Sequence, residues 1–161
     1  MQGLFHVDIV RNGAIVDSFE VKNGITNAGL DKLLNVMFDN ATQIANWYIG
    51  LIDNASYTAL AAADTHASHA GWIENTQYDE STRPEWSPDA ASSQSIANAT
   101  ARSFTMSATA AIKGFFIASS NVKGSTSGSV TLWSTAAFSA VRNVADGDTI
   151  NITYILGAAL A

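Results

Sequence analysis

Leu4-Phe-His-Val-Asp-Ile-Val-Arg-Asn-Gly-Ala-Ile-Val-Asp-Ser-Phe-Glu-Val21 alternates apolar and polar residues, with Phe5, Val7 and Ile9 on one face. Strict alternation is the signature of a half-buried strand, and Asn12-Gly13 between two such runs is a type I′ hairpin turn, because Asn and Gly tolerate positive φ. Residues 4–11 and 14–21 are therefore expected to form a β-hairpin. Lys22-Asn23-Gly24 is expected to end the pairing.

Downstream, Thr26 or Asn27 can cap a helix over about 28–38, where Leu30, Leu33, Leu34 and Met37 repeat at helical spacing. Its apolar stripe is expected to pack on the sheet. Residues 46–52, with Trp47-Tyr-Ile-Gly-Leu-Ile52, read as a central strand buried on both faces, with Gly50 marking a bulge or a close backbone approach. Alternation returns at 100–107, 112–119, 129–133, 136–140 and 148–156, the last with Ile150, Ile152, Tyr154 and Leu156 on one face. Between 53 and 98 no period of either kind is sustained, so this segment reads as a long irregular loop, a length that is unusual inside a compact domain. The expected fold is mainly β: an antiparallel β-sandwich or jelly-roll-like barrel of about eight strands. It carries one short amphipathic helix and the 53–98 excursion, in a single domain over 1–161.

Composition narrows the function. Eight Lys and Arg against 14 Asp and Glu give a formal charge of −6, with no basic cluster to neutralise phosphates, so nucleic acid is disfavoured. The absence of cysteine removes disulfides, thiolate metal sites and cysteine nucleophiles. No basic region and apolar run of a secretory signal stand at Met1-Gln-Gly-Leu-Phe-His6, and no apolar stretch is long enough to span a bilayer. The expectation is a soluble chain without a membrane partner. Charged residues are only 14%, against about 25% in an average globular protein. A surface rich in Ala, Ser, Thr and Asn packs against other subunits with little charge desolvation, which suits a component of an assembly.

Two groups of residues invite chemistry. Asp64, His66 and His69 lie close in sequence, and on a helix the two histidines would face the same way. Helical metal-binding pairs are more often spaced by four, and no second cluster supplies further ligands, so hydrogen bonding within the loop is the stronger reading. Glu74, Asp79, Glu80 and Glu85 could flank a sugar as paired carboxylates, but nothing fixes their separation, and pairing with Arg83 is the ordinary alternative. No Gly-x-Ser-x-Gly elbow and no phosphate-cradling loop occur. The expectation is a non-enzyme with no cofactor and no metal.

Tyr57, Trp72, Tyr78, Arg83 and Trp86 are the candidate partner-binding residues. Trp, Tyr and Arg dominate interface hot spots because each buries a large area and still offers a hydrogen bond or a guanidinium plane. Their other role would be to fold the excursion onto its own sheet. Trp47 and Trp133, inside strand patterns, read as core.

Several blocks resemble a family of tailed-bacteriophage capsid decoration, or cement, proteins. They are Thr26-Asn-Ala-Gly-Leu30, Trp47-Tyr-Ile-Gly-Leu-Ile-Asp-Asn54, Ala61-Ala-Ala-Asp-Thr-His-Ala-Ser-His-Ala-Gly-Trp72 and Tyr78-Asp-Glu-Ser-Thr-Arg-Pro-Glu-Trp86. Gly114-Phe-Phe-Ile117, Thr131-Leu-Trp-Ser-Thr135 and Asp146-Gly-Asp-Thr-Ile150 continue the likeness over most of the chain. The resemblance implies a β-rich homo-oligomer, a trimer being one such form, on the exterior of the virion capsid. There it would tie neighbouring major capsid protein subunits together after assembly in the host cytoplasm. It implies no enzyme activity and no cofactor. The alternative is a carbohydrate- or host-surface-binding phage head or tail protein that stacks sugars on the Trp72–Trp86 region. The apolar tail 155–161 is expected to pack at a subunit contact.

Overall fold

The computed structural model of the chain describes residues 1–158. Its elements are β1 (Gln2–Arg11), β2 (Ala14–Ile25), α1 (Asn27–Phe38), β3 (Trp47–Asp53), β4 (Glu74–Asn75), β5 (Glu85–Trp86) and β6 (Ser95–Ala97). These are followed by β7 (Arg102–Thr105), β8 (Ala110–Ala118), β9 (Leu132–Val144) and β10 (Thr149–Gly157). The strands form an antiparallel sheet curled into a half-barrel, a sandwich- or barrel-like fold with one helix. The order across it is β4-β3-β8-β9-β2-β1-β10-β6, with β5 also on β3 and β7 also on β10.

The opening hairpin forms as its sequence dictates. Asn12 and Gly13 take φ of 52° and 78°, both positive as a type I′ turn requires, and Arg11 pairs with Ala14. Phe5, Val7 and Ile9 are buried and lie opposite Tyr154, Ile152 and Ile150 of β10. The second strand does not stop at Lys22: it continues to Ile25, because Gly24 and Ile25 pair with Thr135 and Ser134 of β9. Its two ends thus belong to different parts of the curl, which is how one strand turns a corner between sheets.

Two stretches read as separate strands, 129–133 and 136–140, are one 13-residue strand, β9. Opposite Lys113 the register jumps from Arg142 to Ala137, a bulge that bends the strand, and the Lys113 ammonium donates to the freed Phe138 carbonyl at 2.7 Å. Gly50 marks a close approach, since the Phe116 ring of the neighbouring strand lies 2.1 Å from where a Cβ would sit. The strand β3 is second from the edge rather than central, with only the short β4 and β5 beyond it.

The main core fills the inside of the curl, with Phe5, Leu51, Phe104, Phe115, Ile117, Ile152 and Tyr154 all fully buried. A second core lies on the opposite face of β3 and β8, built from Ile52, Trp72, Phe116, Ala118 and Leu132. Residues 54–73 cover it. Trp72 packs against Phe116 at 5.1 Å between ring centroids, and Tyr57 and Leu60 flank the cluster.

Residues 74–98 do something different: they bridge the two edges of the half-barrel. On one side β4 and β5 pair with Leu51–Ile52 and Trp47–Tyr48 of β3. On the other, Tyr78 pairs with Met106 and Pro88 with Asn98, while β6 lies on Ile155, Leu156 and Gly157 of β10. The 53–98 excursion is thus a surface cover and a seam, containing three short strands that no periodicity reveals at two or three residues each. Sheet edges left open would invite pairing with other chains, and this segment covers them.

Helix α1 departs from expectation. Thr26 caps it, accepting from Gly29 N at 3.0 Å, and Gly29 lies so close to β9 that a Cβ would meet the Trp133 carbonyl at 2.5 Å. Only Gly29 is buried, with Leu33 partly packed against the core. Leu30, Leu34, Met37 and Phe38 are exposed. The helix touches the sheet through its N-terminal turn, so most of the stripe expected to pack there is uncovered. Of the apolar tail expected at a subunit contact, Ile155 and Leu156 are strand residues paired on both sides, and residues 159–161 lie outside the described residues.

Two stability predictions follow the seam and the last turn. Asn98 is buried and fills the gap in the β10 ladder between β7 and β6: its amide donates to Ile152 O at 3.1 Å and accepts from Tyr154 N at 2.7 Å. Asn98→Leu should lower the unfolding free energy in urea by about 1–3 kcal/mol, since buried backbone groups lose their partners. Asp148, buried, accepts from Arg11 Nε and Nη2 at 2.8 and 2.6 Å and from Ala145 N at 2.7 Å. The Arg11 hydrogen bond holds its carboxyl below the usual value. This stabilisation is complete above the unfolded carboxyl pKa, about 3.9, and is lost as pH falls through the lower folded value. Acid titration of stability in Asp148→Asn should lack that component of the wild-type acid limb.

Candidate functional site

Four of the five candidate anchors are buried within the fold. Trp72, Tyr78, Arg83 and Trp86 are 2%, 2%, 1% and 7% exposed. Trp72 stacks under His69 at 3.9 Å and donates its indole N–H to Asp64 at 3.0 Å. Tyr78 sets its ring edge-on to Phe104 at 4.8 Å, with the Lys123 ammonium 3.9 Å from its centroid. Trp86 pairs with Trp47 on β3 and donates across the seam to Tyr154 O at 3.2 Å. Tyr57 is partly buried beside the second core, with Lys113 Nζ 5.4 Å from its ring. The expectation of partner contact is therefore corrected for the four buried residues. Their size serves to seat the excursion on the sheet, the second of the two roles the sequence left open. Trp72, Tyr78 and Trp86 likewise offer a sugar no free ring face.

Arg83 is the hub of the polar interior. Its Nε and Nη2 donate to the two oxygens of Glu74 at 2.7 Å each, a bidentate pairing that matches the guanidinium fork to the carboxylate. Nη1 donates to Ser120 O at 2.9 Å and faces His66 Nε2 at 3.3 Å, and Nη2 also reaches Ser125 O at 3.4 Å. The guanidinium carbon lies 4.9 Å from the Phe116 ring centroid. Glu74 accepts a further hydrogen bond from Gly124 N at 2.6 Å. A pocket of about 240 Å³ opens beside this cluster. Every donor group of Arg83 is directed at a protein acceptor, so the pocket has no free guanidinium edge with which to hold an anion.

The metal and hydrolase groupings dissolve in the same way. Asp64 accepts from Trp72 and from Ala61 N, His69 Nδ1 bonds Trp72 O, and His66 bonds Ser127 O through Nδ1 at 3.0 Å. Among the described residues no group of three or more His, Asp or Glu side chains is placed to hold a metal ion. Glu74 is bound to Arg83, and both oxygens of Glu80 accept from Thr105 N at 3.0 and 3.1 Å, which commits them to the fold. No helix among the described residues is long and apolar enough to cross a membrane.

Ile15, Val16, Ile73 and Val122 are exposed singly or in a pair, and four further exposed apolar residues share one face of α1. Leu30, Leu34, Met37 and Phe38, at 39%, 53%, 64% and 82% exposed, follow one another down the helix. Beside them lies a groove of about 390 Å³ whose lining includes Leu33, Val36, Ile44, Trp47, Trp133 and Leu156. The periodicity of this stripe was visible in sequence but pointed at the sheet. One signal argued otherwise: Gly29 permits close approach only at the first turn.

Truncating Glu74 to Ala should cost about 3–5 kcal/mol in urea unfolding, because it leaves a buried guanidinium uncompensated. The exposed Leu34→Ala should change stability by no more than about 0.5 kcal/mol. Comparison with known proteins adds no relative: no protein-family model matches the chain, and no curated protein matches it.

Proposed function

We propose that this chain is a capsid decoration protein, binding the outer surface of a tailed-phage head and stabilising contacts between major capsid protein subunits. The observation that carries the reading is the uncovered apolar face of α1 on a chain whose polar clusters are committed to its own fold. The low charged fraction, 14%, and the sequence blocks that resemble decoration proteins support it. An adhesive face without a catalytic group is what a cement protein requires.

The mechanism is additive binding. A three-turn helix face is small beside the roughly 800 Å² per partner of a standard stable interface, so one contact is weak alone. A ligand that binds only the assembled state stabilises it in proportion to its occupancy, and many copies, or a trimer engaging several subunits at once, multiply the effect. Leu30, Leu34, Met37 and Phe38 would supply the apolar contact on the capsid subunit. Few charges limit the desolvation cost of close packing.

Purified chain added to undecorated heads of the phage that encodes it should bind them and raise their melting temperature. Leu34→Asp and Met37→Asp, both at exposed positions, should leave the free chain folded yet weaken shell binding at least tenfold. No binding to such heads by the unaltered chain would refute the proposal.

A further inference from the structure

We propose that His66 is an acid-sensitive latch: in its neutral form it clasps the loop at residues 120–127 to Arg83 and the 64–72 segment, and protonation opens that clasp. The inference stands apart from whatever the chain binds. It rests on what each ring nitrogen meets. Nδ1 lies 3.0 Å from the Ser127 carbonyl, which can only accept, so Nδ1 carries the proton. Nε2 lies 3.3 Å from Arg83 Nη1, which can only donate, so Nε2 offers its lone pair. The partners dictate one tautomer of the neutral ring.

A second proton has no place there. It would sit on Nε2 pointing at an N–H of Arg83, replacing a hydrogen bond with a donor facing a donor. It would also put two cations side by side where His66 and Arg83 are 2% and 1% exposed. Glu74 favours the imidazolium but does not offset its cost, because both of its oxygens are held by Arg83 and one also by Gly124 N. His69 faces the same cluster from the 64–72 segment, stacked on Trp72 and bonded to its carbonyl. Lys123, on the loop itself, is turned to Tyr78 O and Glu80 O. Asp64 is taken by Trp72 Nε1. Among the described residues, the carboxylates beside His66 are thus already engaged by other donors.

Burial is the largest influence lowering the His66 pKa, and Arg83 and His69 act in the same direction, against the Ser127 carbonyl and Glu74. For a histidine that binds its proton less readily folded than unfolded, the clasp is at full strength above the unfolded pKa of about 6.5. It weakens as pH falls below that value and stops weakening once pH passes the folded pKa. The loop that opens contains Ser120, Gly124, Ser125 and Ser127, whose backbone groups are the other half of the clasp.

The test follows the imidazole nitrogens of His66 by NMR in the intact chain, together with amide hydrogen exchange, corrected for its intrinsic pH dependence, at residues 122–129. The proposal expects the Nδ1–H tautomer at pH 7.5 and a titration midpoint below about 6.5. It also expects opening of 122–129 that rises by up to ~tenfold per pH unit as pH falls from about 6.5 to that midpoint, and levels off below it. His66→Gln, which can donate and accept without titrating, should abolish that pH dependence. A His66 midpoint at or above the unfolded value, or an Nε2–H tautomer, overturns the proposal. So does the same acid-induced opening in a folded His66→Gln. Should that variant not fold, the wild-type titration and tautomer alone decide.

Discussion

An open, curled sheet has two edges, and the architecture of this chain follows from how they are brought together. Tyr154 lies where that happens. Its carbonyl accepts from Trp86, its amide donates to Asn98, and its hydroxyl meets Asn23 at 2.8 Å and Trp133 at 3.3 Å. Its ring packs between Phe5 and Trp86. Strands from both ends of the sheet and the bridging excursion thus converge on one fully buried residue, with each polar atom directed to a partner. Burial pushes the Tyr154 phenol up, so it stays neutral while its oxygen accepts from Asn23 Nδ2 and Trp133 Nε1.

The regular part of this fold was legible in sequence because it follows period 2 and local turn chemistry. Asn12-Gly13, the Phe5-Val7-Ile9 face and the Ile150-Ile152-Tyr154 face each act over a few residues, and the structure keeps them. The bend in β9 was not legible, since it depends on Lys113 reaching a carbonyl 25 positions away in the chain. Nor were β4, β5 and β6, whose two or three residues are too few for a period to register. They are strands only because a waiting edge supplies their hydrogen bonds.

The candidate site misled for a related reason. Large aromatics and an arginine in an aperiodic stretch signal that something must be covered, but not whether the cover is a partner or the chain's own sheet. Trp72, Tyr78, Arg83 and Trp86 found their complement at Phe116, Phe104, Glu74 and Tyr154. The pairing of Glu74 with Arg83 was the one contact within this group that the sequence suggested. The helical stripe produced the opposite error, because amphipathic spacing identifies a face without identifying what it faces.

The pairing of β1 with β10, from Gln2 against Gly157 to Val10 against Thr149, has a consequence for biosynthesis. The strand β1 cannot be satisfied on its outer side until β10, far later in the chain, has left the ribosome. Until β10 is made, the β1–β2 hairpin must persist with a bare row of backbone donors and acceptors, the state in which nascent chains are most exposed to pairing with one another. The polar side chains that alternate along that hairpin, His6 and Asp8 opposite Glu20 and Ser18, keep one face of it wetted during that wait. Its folding rate is accordingly tied to closing the long loop between β1 and β10.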